Sequence, residues 1–404
     1  MKLRSIPETS RLTVIDLLRG VAILGILLVN MIDFHAPFLY MQADYWDGAD
    51  FYTYAFVDIF AQGNFYPMFA FLFGFGAVLL MKRTIEKGMS FPRLFSRRMA
   101  FLLIVGVFHA FVIWHGDILI SYAICGWVIL LVYKLSGKAL LMLSVLLYTI
   151  PYGLLGFLSI LISVLEPDAA KVKTDWDSAA EAVQVYGNGS IAEIFSFRFE
   201  EWMAVNGPMS FILIFLSIFP CMLAGMAFAK LGWLSDAASH RKKLHGMFWC
   251  SVIIGLGLKM YPYFGGFNAG SIIMQDSFGG PILALAYITG ITLLYGRFTS
   301  FRKLTEPFVP LGRMSMTNYL TQSVFWTFIF YSYGLGFYGQ IGMLAGTVLA
   351  ILFVALQAVF SAYWLKSFRM GPVEYVWRLA TYGERQPLRI TSGEKEESGN
   401  WRGL

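Results

Sequence analysis

The sequence has few charged residues and few cysteines, and both shortages exclude common classes of protein. Of its 404 residues, 14% are charged and 57% are hydrophobic, and the mean hydropathy is +0.63. Soluble domains carry about 25% charged residues, so this composition excludes a soluble globular protein. Cys125, Cys221 and Cys250 lie far apart in apolar segments and form no CxxC pair. This spacing excludes a disulfide framework and a zinc site, and we expect no bound metal.

The motifs of common nucleotide-binding and catalytic sites are missing as well. The sequence has no P-loop, no G-x-S-x-G nucleophile elbow and no dinucleotide-binding fingerprint. The net charge is +6, but the basic residues fall in short loops between apolar runs, which argues against nucleic-acid binding. No cleavable signal peptide is evident, because the first apolar run is long and holds Asp16 and Arg19 near its start.

What the sequence has instead is a series of long apolar runs. About 20 apolar residues in a helix cross the hydrocarbon core of a bilayer. The runs predict an all-α, polytopic membrane protein with about ten transmembrane helices, in which residues 1–383 form one domain in contact with membrane lipid. The predicted spans are residues 13–32, 60–81, 98–114, 117–135, 139–163, 208–230, 245–263, 279–297, 311–331 and 341–365.

The charges of the loops alternate along the chain. Residues 33–58 hold five aspartates and no lysine or arginine, whereas residues 82–98 hold six cations against Glu86 alone. Cytoplasmic loops of membrane proteins are enriched in lysine and arginine. Because every second loop is basic, the pattern predicts that the N and C termini are both cytoplasmic.

Three segments outside the spans carry their own expectations. The acidic loop 166–206 is predicted outside the cell, with an amphipathic helix at 191–204 that Ser190 and Glu193 cap. The charged residues 384–404 are predicted to form a disordered cytoplasmic tail. The glycine-rich segment 261–280 fits both a re-entrant segment and a simple outer loop.

His109 is the strongest catalytic candidate, because it lies deep inside an apolar run. On a straight helix it stands about 16 Å above Arg98, beyond the membrane midplane. Ionisable groups at such depth cost about 2–4 kcal/mol and are usually retained for function. A histidine beside a carboxylate can act as a general base, and Asp117 is the candidate partner. A straight helix would leave Asp117 about 12 Å away, so the chain must fold back. A histidine that only packs between helices is the alternative.

The other candidate residues follow from polar stripes on apolar helices. His35, just beyond the first span, is a further catalytic candidate, whereas His115 at the membrane edge is predicted to be interfacial. One polar stripe lies on the first span and another on the ninth, and we expect them to face a common interior. An interfacial ion pair and hydrogen bonds between helices are the structural alternatives. The candidate substrate-binding residues are Asp16, Arg19, Asn30, Arg97, Arg98, Arg313, Asn318 and Gln322.

Four blocks of the sequence, in order, resemble one family. They are IDLLRG with Asn30 downstream, FHAFVIWHGDILISYA, GRMSMTNYLTQS and FRMGPVEYVWRLATYGE. Together they resemble the YeiB-type bacterial membrane proteins, domain-of-unknown-function family 418, some of which are described as transport-related. The resemblance covers nearly the whole chain and implies a multi-pass protein of the bacterial cell (inner) membrane.

The first two spans are more distantly similar to heparan-α-glucosaminide N-acetyltransferase and other transmembrane acyltransferases. In those enzymes an (I/V)D-x-x-RG motif and an asparagine at the outer end of the span precede a histidine in an outer loop. Asp16, Arg19, Gly20 and Asn30 match the motif and the asparagine. The similarity therefore implies acyl-transfer chemistry at a site that includes these residues.

This sequence departs from the acyltransferase pattern at the histidine itself. In the enzyme the histidine lies just before Trp-Asn-Gly, and the nearest equivalent here is residues 46–48, Trp-Asp-Gly. Ala43 stands at the spacing of the histidine. The resemblance implies the same chemistry only if His35 or His109 takes over that role.

These observations support three hypotheses of function. In the first, an acyltransferase-like enzyme takes acyl-CoA from the cytoplasmic side, and Arg19, Arg97, Arg98 and Arg313 contact the donor. His109, oriented by Asp117, then deprotonates a hydroxyl or amine of a small or envelope acceptor. In the second, the protein transports a small solute along the same polar seam, although the sequence shows no inverted repeat. In the third it is a non-catalytic membrane scaffold. The sequence leaves the donor, the acceptor and the oligomeric state open.

Overall fold

The apolar runs form helices that are long enough to cross a membrane. The computed structural model describes residues 12–390, and eight of its helical segments have the length and composition of a span. This confirms an all-α, multi-pass membrane protein. The eight segments are Thr13–His35, Gly48–Glu86, Phe91–Ile113, Gly137–Leu165, Pro208–Leu231, Arg241–Gly265, Ala269–Arg297 and Met343–Trp364.

Two of the ten predicted spans are shorter than the others. Leu119–Val132 is apolar but has only 14 residues. The ninth predicted span is divided into Phe308–Arg313 and Ser315–Phe330 by a break in the helical backbone at Met314. The count of ten and the orientation of the termini therefore stay predictions.

The helices are numbered in chain order. They are α1 (Thr13–His35), α2 (Gly48–Phe60), α3 (Phe65–Glu86), α4 (Phe91–Phe108), α5 (Leu119–Val132), α6 (Gly137–Leu165), α7 (Trp176–Asn188), α8 (Ile191–Asn206), α9 (Pro208–Leu231), α10 (Arg241–Gly265), α11 (Ala269–Ile273), α12 (Gly280–Arg297), α13 (Thr299–Thr305), α14 (Phe308–Arg313), α15 (Ser315–Phe330), α16 (Met343–Trp364) and α17 (Pro372–Tyr382). Two π-helical turns, His109–Ile113 and Met274–Gly279, continue α4 and join α11 to α12. The segment 261–280 is thus mostly helical.

Helix α1 is the central element of the fold. It packs against α3, α14, α15 and α16, and most of its side chains are buried. Glycines permit its closest contact, because a Cβ on Gly20 would clash with the backbone of Phe308, and one on Gly312 with the backbone of Asp16. This close approach of α14 places Arg313 beside the polar stripe of α1.

The segments outside the spans are more ordered than the sequence suggests. Loop 166–206 contains α7, which the sequence analysis missed, and α8, where Ser190 and Glu193 form a capping box. Beyond α17, Arg389 pairs with Phe368 in an isolated bridge, so the tail predicted to be disordered from residue 384 is ordered as far as residue 390. Residues 1–11 and 391–404, which include the rest of that tail, lie outside the described residues.

The orientation of the chain can be tested with reporters. A phosphatase that is active only outside the cytoplasm should give activity when fused after residue 190, because the loop that holds α7 and α8 is acidic. The same reporter fused at the C terminus should be inactive, and a cytoplasmic reporter there should fluoresce. The opposite pair of results would reverse the predicted topology.

Candidate functional site

A cavity of about 470 Å³ runs beside α1 through the described part of the bundle. Its walls come from α1, α3, α4, α14, α15 and α17 and from the loop before α5. Along α1 it extends from Asp16 to Asn30, which is about 21 Å at the rise of an α-helix. The cavity is therefore long enough to reach across most of a hydrocarbon core of about 30 Å.

One end of the cavity is strongly basic. Two carboxylates, Asp16 and Glu374, share this end with five arginines. Asp16 pairs with Arg19 at 3.3 Å, and Glu374 accepts hydrogen bonds from the backbone N–H groups of Met316 and Thr317 at the start of α15. Among the described residues that line this end, arginines outnumber carboxylates, so the basic end suits an anionic group. The arginines of the basic end are Arg19, Arg83, Arg98, Arg313 and Arg378.

Helix α17 closes the basic end. The guanidinium of Arg98 lies 3.6 Å from the ring centroid of Trp377, whose indole N–H donates to the Arg98 backbone carbonyl at 3.1 Å. Burial raises the pKa of Glu374 on the same helix, although its hydrogen bonds from α15 oppose this shift. Helix α17 thus supplies part of the cavity wall.

The opposite end of the cavity is uncharged, and a histidine–aspartate pair lies behind its wall. Asn30, Gln62 and Gly116 line this end. The His109 Nδ1 atom is 2.9 Å from Oδ1 of Asp117, and both side chains are fully buried. The second oxygen of Asp117 accepts the Ile120 backbone N–H at 2.9 Å and so caps the start of α5.

A π-helical turn brings His109 and Asp117 together. The Trp114 N–H donates to the His109 carbonyl at 2.8 Å, five residues back, which widens the last turn of the helix. The backbone is then extended at Trp114, and only a glycine fits at position 116, since a Cβ there would clash with the Trp114 ring. The chain therefore folds back, as the distance between the two residues required.

The pairing fixes which nitrogen of His109 carries the proton. A carboxylate can only accept, so Nδ1 must donate to Asp117, and Nε2 of the neutral ring is then a free acceptor. Nε2 is buried and has no hydrogen-bond partner within residues 12–390. Tyr319 separates the dyad from the cavity: it lines the cavity, and its ring centroid is 5.2 Å from that of His109.

The structure places His35 in a separate apolar pocket. Its ring is fully buried between Phe330 and Trp46, and neither nitrogen has a hydrogen-bond partner among the described residues. Gly346 leaves the space for the ring, because a Cβ there would clash with it. His35 therefore joins neither the His109–Asp117 dyad nor the cavity wall.

The candidate substrate-binding residues divide into three groups. Five of them line the cavity, and Arg97 is exposed outside it. Asn318 and Gln322 face α16 instead, where Asn318 donates to Ser361 and Gln322 to Gln357. Asn318 and Gln322 thus join two helices and do not share the cavity with α1, whereas Arg313 of the same predicted span does. The cavity-lining candidates are Asp16, Arg19, Asn30, Arg98 and Arg313.

Comparison with known proteins identifies the family. A family model described as "Protein of unknown function (DUF418)" matches residues 228–384. The chain is 38% identical over 401 residues to Uncharacterized protein YxaH of Bacillus subtilis, covering 94% of this chain and 96% of that protein. It belongs to the DUF418 family. It is also 28% identical to Uncharacterized protein YeiB of Escherichia coli, over 91% of this chain and 95% of that protein. The likeness of the first two spans to transmembrane acyltransferases stays an expectation from the sequence.

This DUF418 protein has a second buried charge cluster, which was not predicted from its sequence. His115, predicted to be interfacial, is buried, with Nε2 3.0 Å from Asp33 and Nδ1 3.2 Å from Glu201 on α8. Burial lowers the pKa of His115, but the two carboxylates outweigh it and raise the pKa to about 9. Tyr186 on α7 donates to Glu201. This cluster of His115, Asp33, Glu201 and Tyr186, the outer clamp, connects α7 and α8 to the end of α1.

The DUF418 protein also has a buried lysine that was not predicted from the sequence. Lys259 on α10 is fully buried and pairs with Asp276 in the second π-helical turn at 2.8 Å. The signal was present in the sequence, because a lone lysine inside an apolar helix is rare and usually has a specific partner. What the sequence could not show is that Asp276 and Asp58 are brought to it from two other segments.

Proposed function

We propose that the protein is a membrane-embedded acyltransferase of the bacterial cell membrane that uses a cytoplasmic acyl-CoA as donor and acylates a small or envelope acceptor. The observation that carries the proposal is the polarity of one cavity. Five arginines stand at one end, and a histidine–aspartate dyad lies behind the wall of the other. The two ends are joined by an apolar middle section formed by side chains such as Ile23, Phe69 and Leu102.

The basic end suits the phosphates of a CoA thioester. Guanidinium groups bind phosphate through paired, charge-assisted hydrogen bonds, and several arginines around one cavity increase this attraction. From Arg19 to Asn30 the cavity follows α1 for about 17 Å, which the long pantetheine arm of the donor would occupy. The thioester would then lie near the uncharged end, level with the dyad.

The dyad suits the activation of an acceptor. Asp117 holds Nδ1–H of His109, so Nε2 takes the proton of an acceptor hydroxyl or amine as its oxygen or nitrogen attacks the thioester carbonyl. The carbon–sulfur bond breaks, and the CoA thiolate leaves with the proton that His109 returns. The Tyr319 side chain must move for the acceptor to reach Nε2, because it lies between the dyad and the cavity.

Purified protein given acyl-CoA with a labelled acyl group should consume the donor or become acylated. Arg98→Gln should raise the KM for the donor by about tenfold or more, since a hydrogen bond to a charged group contributes about 1.5–3 kcal/mol. Arg97→Gln is the matched control: Arg97 is adjacent in sequence but exposed outside the cavity, and its variant should keep the KM of the native protein.

The transporter hypothesis predicts a different result in the same preparation. If no donor is consumed, and vesicles that contain the protein accumulate a labelled solute in a manner that depends on His109, the cavity is a permeation path. Equal KM values for Arg97→Gln and Arg98→Gln would contradict the proposed position of the donor phosphates.

A further inference from the structure

Two breaks in helical structure meet near the uncharged end of the cavity. One is the turn between α2 and α3, where Gly63 has a φ of 72°, and the other is the π-helical turn Met274–Gly279. They are in close contact: a Cβ on Gly63 would lie 3.2 Å from Oδ1 of Asp276, and one on Gly280 would clash with Gly63. Broken helices leave backbone carbonyls without their helical partners and often mark ion sites in membrane proteins.

A buried positive charge already occupies this junction. Lys259 donates to the backbone carbonyl of Gln62 at 3.0 Å and to Oδ1 of Asp276 at 2.8 Å. Asp58 accepts hydrogen bonds at 2.7 Å from both Tyr263 and Gln275, and it lies close enough to Lys259 and Asp276 to interact electrostatically. The Gln275 amide also donates to the Lys259 carbonyl at 2.9 Å, which links the two halves of the cluster.

The charges of the cluster do not balance. Within residues 12–390, two carboxylates, Asp58 and Asp276, face one ammonium, that of Lys259, and the other titratable group hydrogen-bonded to Asp58 is Tyr263. A net charge of −1 next to apolar helices carries a large desolvation cost, so it must be neutralised. One monovalent positive charge would do this, whereas a divalent ion would leave a charge of +1.

The oxygens available at the junction suit a hard cation. The side-chain oxygens of Gln62 and Asn64, on either side of Gly63, are buried and have no hydrogen-bond partner within the described chain. Asn64 is fully buried, and about a third of the Asp276 side chain remains exposed. Carboxylate, amide and backbone carbonyl oxygens are the ligands that alkali and alkaline-earth cations prefer.

We propose that this junction binds one monovalent alkali cation, held by Asp276 and Asp58 with the amide oxygens of Gln62 and Asn64. Lys259 acts as a tethered cation that supplies one of the two positive charges the carboxylates require. Gln62 and Gly63 belong both to the junction and to the cavity wall. A bound ion would therefore influence the shape and the electrostatic potential of that end of the cavity. The inference is independent of the acyltransferase proposal.

The thermal transition of the purified full-length protein tests this site. At constant ionic strength and pH, replacing N-methylglucamine chloride with sodium or potassium chloride should raise the Tm by about 2 °C or more, because a ligand that binds only the folded state stabilises it. Asp276→Asn should abolish the ion-specific rise. Asp168→Asn, which removes a carboxylate from an exposed pair with Lys171, should retain it.

Lys259→Met gives a second, opposite readout. With the tethered cation removed, the variant should be destabilised in N-methylglucamine and partly rescued by an alkali ion, so its ion-specific rise in Tm should exceed that of the native protein. A Tm that depends on pH but not on the identity of the cation would show that a proton neutralises the cluster and would overturn the proposal. Equal ion responses in the native protein and Asp276→Asn would overturn it as well.

Discussion

His109→Gln should reduce the rate of donor consumption by about 10²–10⁴-fold, the range that a positioned general base contributes. Glutamine can still donate a hydrogen bond to Asp117, but its amide cannot accept a proton from the acceptor. The KM for acyl-CoA should change little, because the arginines that would bind the donor stand at the other end of the cavity. Steady-state kinetics with a labelled donor separates kcat from KM and measures both expectations.

Asp117→Asn should lower kcat through the tautomer of His109. An asparagine can present its NH₂ group to Nδ1, which then accepts and leaves the proton on Nε2, so the ring can no longer act as a base. The asparagine oxygen can still accept from the Ile120 N–H and cap α5, so the fold should survive. His240→Gln, far from the cavity at the start of α10, is the control. Full activity in His109→Gln, with unchanged thermal stability, would remove the dyad from the mechanism.

The stripe on α1 was predictable because one straight helix carries it. Asp16, Arg19 and Asn30 share a face at 100° per residue, and the structure places all three on the cavity wall. The same prediction was correct for Arg313, which lines the cavity, but wrong for Asn318 and Gln322, which face α16. The helix breaks between them, because α14 ends at Arg313 and α15 begins at Ser315. A pattern of spacing assumes a continuous helix and cannot show where that helix breaks.

The contact between His109 and Asp117 was predictable only in part. The sequence shows that the chain must fold back if the two residues are to meet, whereas the π-helical turn and the fit of Gly116 against Trp114 depend on packing. Likewise, Lys259 could be found as a lone buried cation, but its partner Asp276 is 17 residues away in a segment whose conformation the sequence left undecided.

The partners of His115 could not be predicted from the sequence either, because they lie on distant segments of the chain. Asp33 lies at the end of α1 and Glu201 on α8, so the outer clamp forms only after three distant segments have packed. Glu201 belongs to a helix whose capping box at Ser190 was visible in the sequence. The pattern predicts where that helix begins, but it contains no information on which of its glutamates is buried.

The outer clamp should make the stability of the protein fall at alkaline pH. The pKa of His115 is about 9 in the folded protein against 6.5 in a free side chain, so the folded state binds its proton more tightly. This stabilisation is fully present below pH 6.5 and is lost as the pH rises through 9. A difference of this size corresponds to about 3 kcal/mol. Burial also raises the pKa of Glu201, so its contribution likewise decreases with rising pH.

His115→Gln should therefore destabilise the protein by about 3–5 kcal/mol near neutral pH, because Asp33 and Glu201 remain buried after their shared cation is removed. Thermal unfolding of the purified protein from pH 6 to 10 measures both the loss of stability and its pH dependence. Most of the decrease in the Tm of the native protein should occur between pH 6.5 and 9. The Tm of the variant should be lower at pH 6.5 and should change less over this range. Glu201→Gln removes one of the charges that raise the pKa of His115, so its decrease in Tm should be smaller and should end at lower pH. His245→Gln, at the start of α10 and outside the clamp, should follow the native curve. A His115→Gln variant with the native pH profile would show that His115 is not the group that titrates.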